Sequence, residues 1–268
     1  MSDGDAPPLV TPDSWQAWRA ATPARLALGR AGAALPTDET LRFSWAHAMA
    51  RDAIHAALDV PALSAALQAL GRPVLQVRSR APDRTAYLRR PDLGRRLDEE
   101  DARHIAAHRP GTGADLCVVV GDGLSSLAVA RHAAPLLAAL QPRLPSSLRW
   151  SPVVIATQAR VALADEVGEC LGARLAVMLI GERPGLSSPD SLGIYLTHGP
   201  RVGCHDAQRN CISNVRPEGL GYEAAAFKLA WLVREALRRG LTGVELRDES
   251  DRDAAVDAPA PAGPGIST

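Results

Sequence analysis

Three short apolar runs stand out along the chain: residues 115–120, 152–157 and 175–180. Each is bounded by glycine, proline or polar residues. Short unbroken apolar runs between turn residues mark strands buried on both faces. Residues 72–78 read as a further strand. Between the runs the apolar positions recur at helical spacing. Helices are predicted from Thr37 to about Leu58, over 98–108, from Ser126 to about Leu140, over 167–172 and over 222–239. Thr37 is read as the N-cap of the first, with Asp38 and Glu39 favouring its positive end. Gly172 and Gly240 are expected to end two others. Residues 14–20 suit a short helix whose Trp15 and Trp18 are expected to dock on the chain's own core. Residues 244–246 read as a last short strand.

Strand, turn and helix alternate from residue 115 onward, the pattern of an α/β fold with a mostly parallel sheet. The softest boundary lies near Pro110-Gly111. It divides the chain into a tail with a short helix (1–21), a smaller, mainly helical part (22–110), an α/β domain (111–247) and a tail (248–268). The first twelve residues are Pro-rich and polar. The last twenty-one are acidic, then rich in Ala, Pro and Gly. Both ends are expected to be disordered.

Length and composition narrow the classes. The 268 residues are 46% hydrophobic but only 4% aromatic, so Ala, Leu and Val must fill the core. Thirty basic residues balance thirty acidic ones, which gives no global pull toward nucleic acid or anionic lipid. The start shows no secretory pattern and no apolar run reaches the length of a membrane span. Cys117, Cys170, Cys204 and Cys211 form no CxxC pair and read as reduced cytoplasmic thiols.

Candidate chemistry is sparse. No GxSxG elbow, Walker A, HExxH or zinc spacing occurs. His47, Arg51 and His55 share a helical face, as do His104 and His108, but neither set has a third ligand. The Arg-rich segment 84–96 suits a phosphate-binding patch, but reads more simply as ion pairs with Asp83, Asp92 and Asp98, or as a protein interface. The turn Gly121-Asp122-Gly123 lacks the third glycine of a dinucleotide fingerprint, Ser126 standing in its place. Cys211 reads either as a nucleophile with His198 or His205 as base, or as a structural thiol. Glu182 stands just past the run 175–180, ahead of a stiff Pro184-Gly185 turn. Ligands of open parallel sheets gather at the carboxyl ends of the strands. Residues alone thus describe a binding domain with a polar ligand at its strand tips, and no reaction.

A set of long motifs goes further. GRAG (29–32), AHAMARDAIH (46–55), VRSRAPDR (77–84) and YLRRPDLGRRL (87–97) are followed by DGLSS (122–126), IGERPGLSSPDSLG (180–193) and RNCISNVRPEG (209–219). In this order they resemble the small (light) subunit family of ethanolamine ammonia-lyase, over nearly all of residues 22–243. The resemblance implies one subunit of an adenosylcobalamin-dependent lyase that converts ethanolamine to acetaldehyde and ammonia. It implies a large-subunit partner that carries substrate and the catalytic groups, within a hetero-oligomer. It implies that 111–247 is Rossmann-like and covers the cobalamin. Carried over by motif, the cofactor contacts are Val161, Glu182 and Cys211, with Val161 and Cys211 contributing backbone groups and packing. Longer members carry an amphipathic N-terminal extension tied to packaging in bacterial microcompartments. Residues 1–12 are short and not amphipathic, which speaks against packaging here. Two other readings are a stand-alone Rossmann-like nucleotide-binding enzyme at 121–126, and a structural partner subunit without cofactor contact.

Overall fold

The computed structural model describes residues 9–252. Six strands form one sheet: β1 (Val74–Arg78), β2 (Ala114–Gly121), β3 (Val153–Thr157), β4 (Ala173–Gly181), β5 (Leu192–His198) and β6 (Arg209–Val215). Their order is β1-β3-β2-β4-β5-β6. The first four are parallel; β5 runs antiparallel to β4, and β6, antiparallel to β5, runs in the direction of the first four. This is the expected α/β class with a mostly parallel sheet. The edge strand β1 comes from before residue 110, so the sheet is not confined to 111–247.

Among the described residues seven α-helices accompany the sheet: α1 (Thr37–His55), α2 (Val60–Ala69), α3 (Arg84–Arg89), α4 (Glu99–Ala107), α5 (Ser126–Leu140), α6 (Leu163–Leu171) and α7 (Tyr222–Arg239). Alternate residues of each strand feed opposite faces. Leu116, Val118, Val120, Val177 and Leu179 pack with α2, α5 and α7. Cys117, Val119, Ala156, Ala176 and Met178 pack with α4 and α6. Period-two alternation with both faces covered explains why the strands read as unbroken apolar runs. Each fully buried Leu or Val contributes about 1.5–3 kcal/mol of transfer free energy. Gly172 and Gly240 end α6 and α7 in the left-handed conformation.

Several expectations are corrected. The cap of α1 falls on Pro36, and Thr37 makes no side-chain cap bond. The helix ends at His55, and α2 starts separately under the Asp59 cap with Pro61 in its first turn. Residues 158–163, which read as a continuation of the 152–157 strand, instead leave the β3 line in a turn that leads into α6. Residues 192–198 and 209–215 are antiparallel strands that the parallel pattern does not announce. Residues Gly243–Glu245 form a 3-10 turn instead of a strand. There the Asn210 amide replaces a strand partner, accepting from Gly243 N at 2.9 Å and donating to Leu246 O at 2.7 Å.

Trp15 and Trp18 do not dock on the core. They lie 65% and 61% exposed, because the 3-10 helix Gln16–Ala21 is tied down by an ion pair, Arg19–Glu39 at 2.7 Å, and buries no residue. The two tail expectations fall partly outside the described residues. Inside them, Thr11 pairs with the Arg30 backbone at 2.7 and 3.0 Å. Lys228 pairs with Asp251 at 2.8 Å, and Ser250 is buried. Neither 9–12 nor 248–252 is without structure. Among the described residues no helix is long and apolar enough to cross a membrane.

Candidate functional site

The carboxyl ends of β2, β3 and β4 lie side by side, and the loops beyond them are tied into one unit. Asp122, just past β2, is 5% exposed. Its carboxylate accepts from Gln158 N and Ala159 N, both at 2.9 Å, which fastens the β3 loop. The Arg84 guanidinium stands 3.7 Å away. Burial pushes the Asp122 carboxyl up, while Ala159 N–H, Gln158 N–H and Arg84 pull the other way. On the other side Leu124 N donates to Gly181 O at 2.9 Å, which fastens the β4 tip. Gly123 has φ +58° and packs so closely that a Cβ would stand 2.3 Å from Gly181 O. Only glycine combines that conformation with that approach. The glycine turn is therefore closed onto β4. Ser125 caps α5 through Ala128 N, and Ser126 Oγ donates to Ala56 O at 2.6 Å. These donors are spent within the chain, which disfavours a dinucleotide at 121–126.

A cleft of about 430 Å³ opens above these tips. Gly123, Val161 and Glu182 line it, together with Tyr87, Arg160 and Tyr195. Two of the three residues singled out by resemblance thus meet in one cleft. The third, Cys211, lies on β6 directly opposite Tyr195 of β5, at the rim, and is exposed. Burial, then the neighbouring Cys211, push the Tyr195 hydroxyl up from its ordinary range. The Cys211 thiol lies 3.7 Å from Ser213 Oγ. Among the described residues no histidine is hydrogen-bonded to it. His198 pairs with Leu175 at the opposite end of the sheet, so the nucleophile reading of Cys211 gains no base.

Glu182 is held by its own protein. Its backbone N–H donates to Ser191 O at 2.9 Å. Its carboxylate accepts from Ser191 Oγ and, at 3.3 Å, from Asn214 N. An ionised carboxylate offers about four acceptor positions. Two are taken, which fixes the group and leaves the rest of its acceptor capacity for a ligand. The 183–191 loop is pinned beneath as well. Arg131 pairs with Asp190 at 2.8 Å, His132 stands 3.5 Å from the same oxygen, and Ser125 Oγ donates to Pro189 O at 2.8 Å.

Tyr87, Arg160 and Tyr195 also line the cleft, and the hydrophobic pattern marks none of them. Applying the strand-tip rule to β3 as well as β4 points at 158–161, where Gln158 adopts φ +53°. Tyr87 carried no such signal, since α3 reaches the cleft only through tertiary packing.

The Arg-rich segment divides in two. Arg90 pairs with Asp92 at 2.7 Å, Arg96 with Glu166 at 2.9 Å and Arg84 with Asp122. Asp98 pairs with Arg78 at 3.6 Å, and Asp83 caps α3. Arg89 and Arg95 are exposed and, among the described residues, have no acidic partner. Reversing either charge should leave unfolding stability within about 0.5 kcal/mol while weakening assembly with a partner subunit, read by sedimentation. A large loss of stability in either variant would contradict this. His47, Arg51 and His55 lie exposed along α1. Among the described residues no group of three His, Cys, Asp or Glu side chains is placed to hold a metal.

Comparison with known proteins gives a consistent result. The family model described as ethanolamine ammonia-lyase light chain (EutC) matches residues 12–247. The ethanolamine ammonia-lyase small subunit of Ralstonia nicotianae is 58% identical over 253 residues, covering 92% of this chain and 93% of that protein. The small subunit from Azotobacter vinelandii is 58% identical over 248 residues, covering 90% and 91%. That from Xanthomonas campestris is 56% identical over 258 residues, covering 94% and 93%. With the match running through β1 to β6 and every strand-tip loop of the cleft, the chain belongs to the ethanolamine ammonia-lyase small-subunit (light-chain) family.

Proposed function

We propose that this chain completes the adenosylcobalamin site of an ethanolamine ammonia-lyase, while a large subunit holds substrate and the catalytic groups. The observation that carries the reading is the meeting of Val161, Glu182 and Tyr195, with Cys211 at the rim, over one strand-tip cleft. The fit to the cofactor is chemical. At about 430 Å³ and open to solvent, the cleft suits one side of a large ligand better than a small enclosed substrate. Cobalamin is rimmed with amides, and the free acceptor positions of Glu182 can meet amide N–H or ribose O–H groups. Val161 supplies an apolar wall. When bound, adenosylcobalamin supplies radical chemistry through its cobalt–carbon bond. This chain's residues bind, orient and shield: Asp122 fastens the β3 loop to β2, Leu124 N fastens the β4 tip, and Ser191 and Asn214 fix Glu182.

The partner reading rests on a second observation. Trp15, Trp18, Leu41, Phe43 and Trp45 are exposed, Trp45 by 70%. Exposed apolar surface of this kind marks contact with another subunit, and we assign it to the large subunit. The four free cysteines suit a reducing cytoplasm.

This division of labour has a direct test. The purified chain alone is expected to show no deamination of ethanolamine, and mixing it with the large subunit and adenosylcobalamin should restore turnover. Measurable turnover by the chain alone would overturn the division.

A further inference from the structure

Arg160 lies in the cleft as a cation that, among the described residues, has no counterion. It follows β3 and precedes α6, and its backbone N–H donates to Gly94 O at 2.8 Å. Its guanidinium rests on the Tyr87 ring, 4.3 Å from the centroid, and Nη2 donates to Tyr87 O at 3.2 Å. The Tyr87 ring also carries Arg84, at 4.6 Å. Gly94 makes room for this stack, since a Cβ there would stand 2.8 Å from Arg160 Cγ. Arg160 Nε is buried without a hydrogen-bond partner, while Nη1 makes no hydrogen bond among the described residues.

The surrounding acids are engaged elsewhere. Asp122 holds Arg84 and two backbone N–H groups. In α6, Asp165 pairs with Arg209 at 2.6 Å and Glu166 with Arg96 at 2.9 Å. Glu182 holds Ser191 and Asn214 N. Among the described residues no carboxylate lies within ion-pair distance of Arg160. A guanidinium held over an aromatic ring can still turn its unused N–H donors to a planar or tetrahedral oxyanion. Such pre-organisation costs a ligand little ordering entropy.

We infer that Arg160 is an anion-binding residue of this cleft, placed to take the phosphodiester on the cofactor's nucleotide tail. The inference rests on the reading that the cleft receives adenosylcobalamin. It adds a residue from the β3 loop to a site otherwise built on Val161, Glu182 and Cys211.

The test uses the chain assembled with its large subunit. Equilibrium affinity is measured for adenosylcobalamin and for adenosylcobinamide, which lacks the phosphate and nucleotide. Arg160→Ala should weaken adenosylcobalamin by about tenfold or more, the effect of a lost charge-assisted hydrogen bond. Adenosylcobinamide affinity should stay within about twofold, so the preference for the phosphate-bearing form shrinks by about the same tenfold. Equal weakening of both, or no weakening of either, would overturn the assignment. A Val161→Trp variant separates this from the underlying reading, because it fills the cleft and removes no donor of Arg160. If Val161→Trp blocks both cofactors while Arg160→Ala discriminates nothing, the phosphate assignment alone falls. If Val161→Trp binds both as the wild type does, the cleft is not the cofactor site and both readings fall.

Discussion

Asp122→Ala is expected to lose about 3–5 kcal/mol of folding stability, the typical cost of removing one partner from a buried charged network. Asp122 is where the ends of β2 and β3 meet. Its two oxygens answer Gln158 N and Ala159 N, each at 2.9 Å, and stand opposite Arg84. With alanine in its place those donors face a dry interior. A buried donor left without an acceptor costs about 1–3 kcal/mol. Arg84 is only half relieved, because its Nη1 and Nε still donate to Gly123 O and Ile54 O. Asp122→Asn keeps one acceptor of the same shape and should lose less, about 1–3 kcal/mol. Equilibrium denaturant unfolding of the chain reads both. A loss below about 1 kcal/mol in Asp122→Ala would mean that the β2 and β3 loops are held by packing and not by this carboxylate.

Glu182→Gln is expected to weaken adenosylcobalamin binding in the assembled enzyme by about ten- to a hundredfold, or 1.5–3 kcal/mol. The carboxylate is already oriented by Ser191 Oγ and Asn214 N. Glutamine retains one oxygen for these partners, so the 182–191 loop should keep its place. What changes is the face turned to the ligand: the charge is lost, and a donor amide replaces an acceptor oxygen. Opposite a cofactor amide or ribose hydroxyl, that substitution sets donor against donor. Unfolding stability should move by less than about 1 kcal/mol, since the β4 core residues are untouched. Wild-type affinity in a properly assembled Gln variant would make Glu182 a turn residue and remove it from the site.

The parallel half of the sheet was legible in the sequence for a simple reason. Strands β2, β3 and β4 are covered on both faces, so nearly every position is apolar and the runs stand out. Strands β5 and β6 were not. They lie toward one edge and carry polar residues such as Thr197, Arg209 and Asn210, whose partners are distant in sequence. Arg209 is buried only because Asp165 of α6 meets it at 2.6 Å, and nothing local to 209 announces that. The tryptophans at 15 and 18 illustrate a second limit. Apolar content marks residues that need a cover, but not whether this chain or another provides it.

The site was legible to a similar degree. Glu182 followed from the strand-tip rule alone, because β4 and its Pro-Gly turn are local features. Val161 and Cys211 came only from resemblance, and the structure brings the first into the cleft and the second to its rim. Tyr87 and Arg160 are joined by a stack between elements more than seventy residues apart in sequence. A single sequence holds no periodicity that encodes such a contact.

The most direct test of the central claim is the structure of the chain assembled with its large subunit and adenosylcobalamin. The cofactor is expected across the cleft, packed on Val161 and near Cys211, with a Glu182 carboxylate oxygen in hydrogen-bond contact with a cofactor amide or ribose hydroxyl. A cofactor held wholly by the large subunit, with this cleft facing solvent or filled by protein, would contradict it.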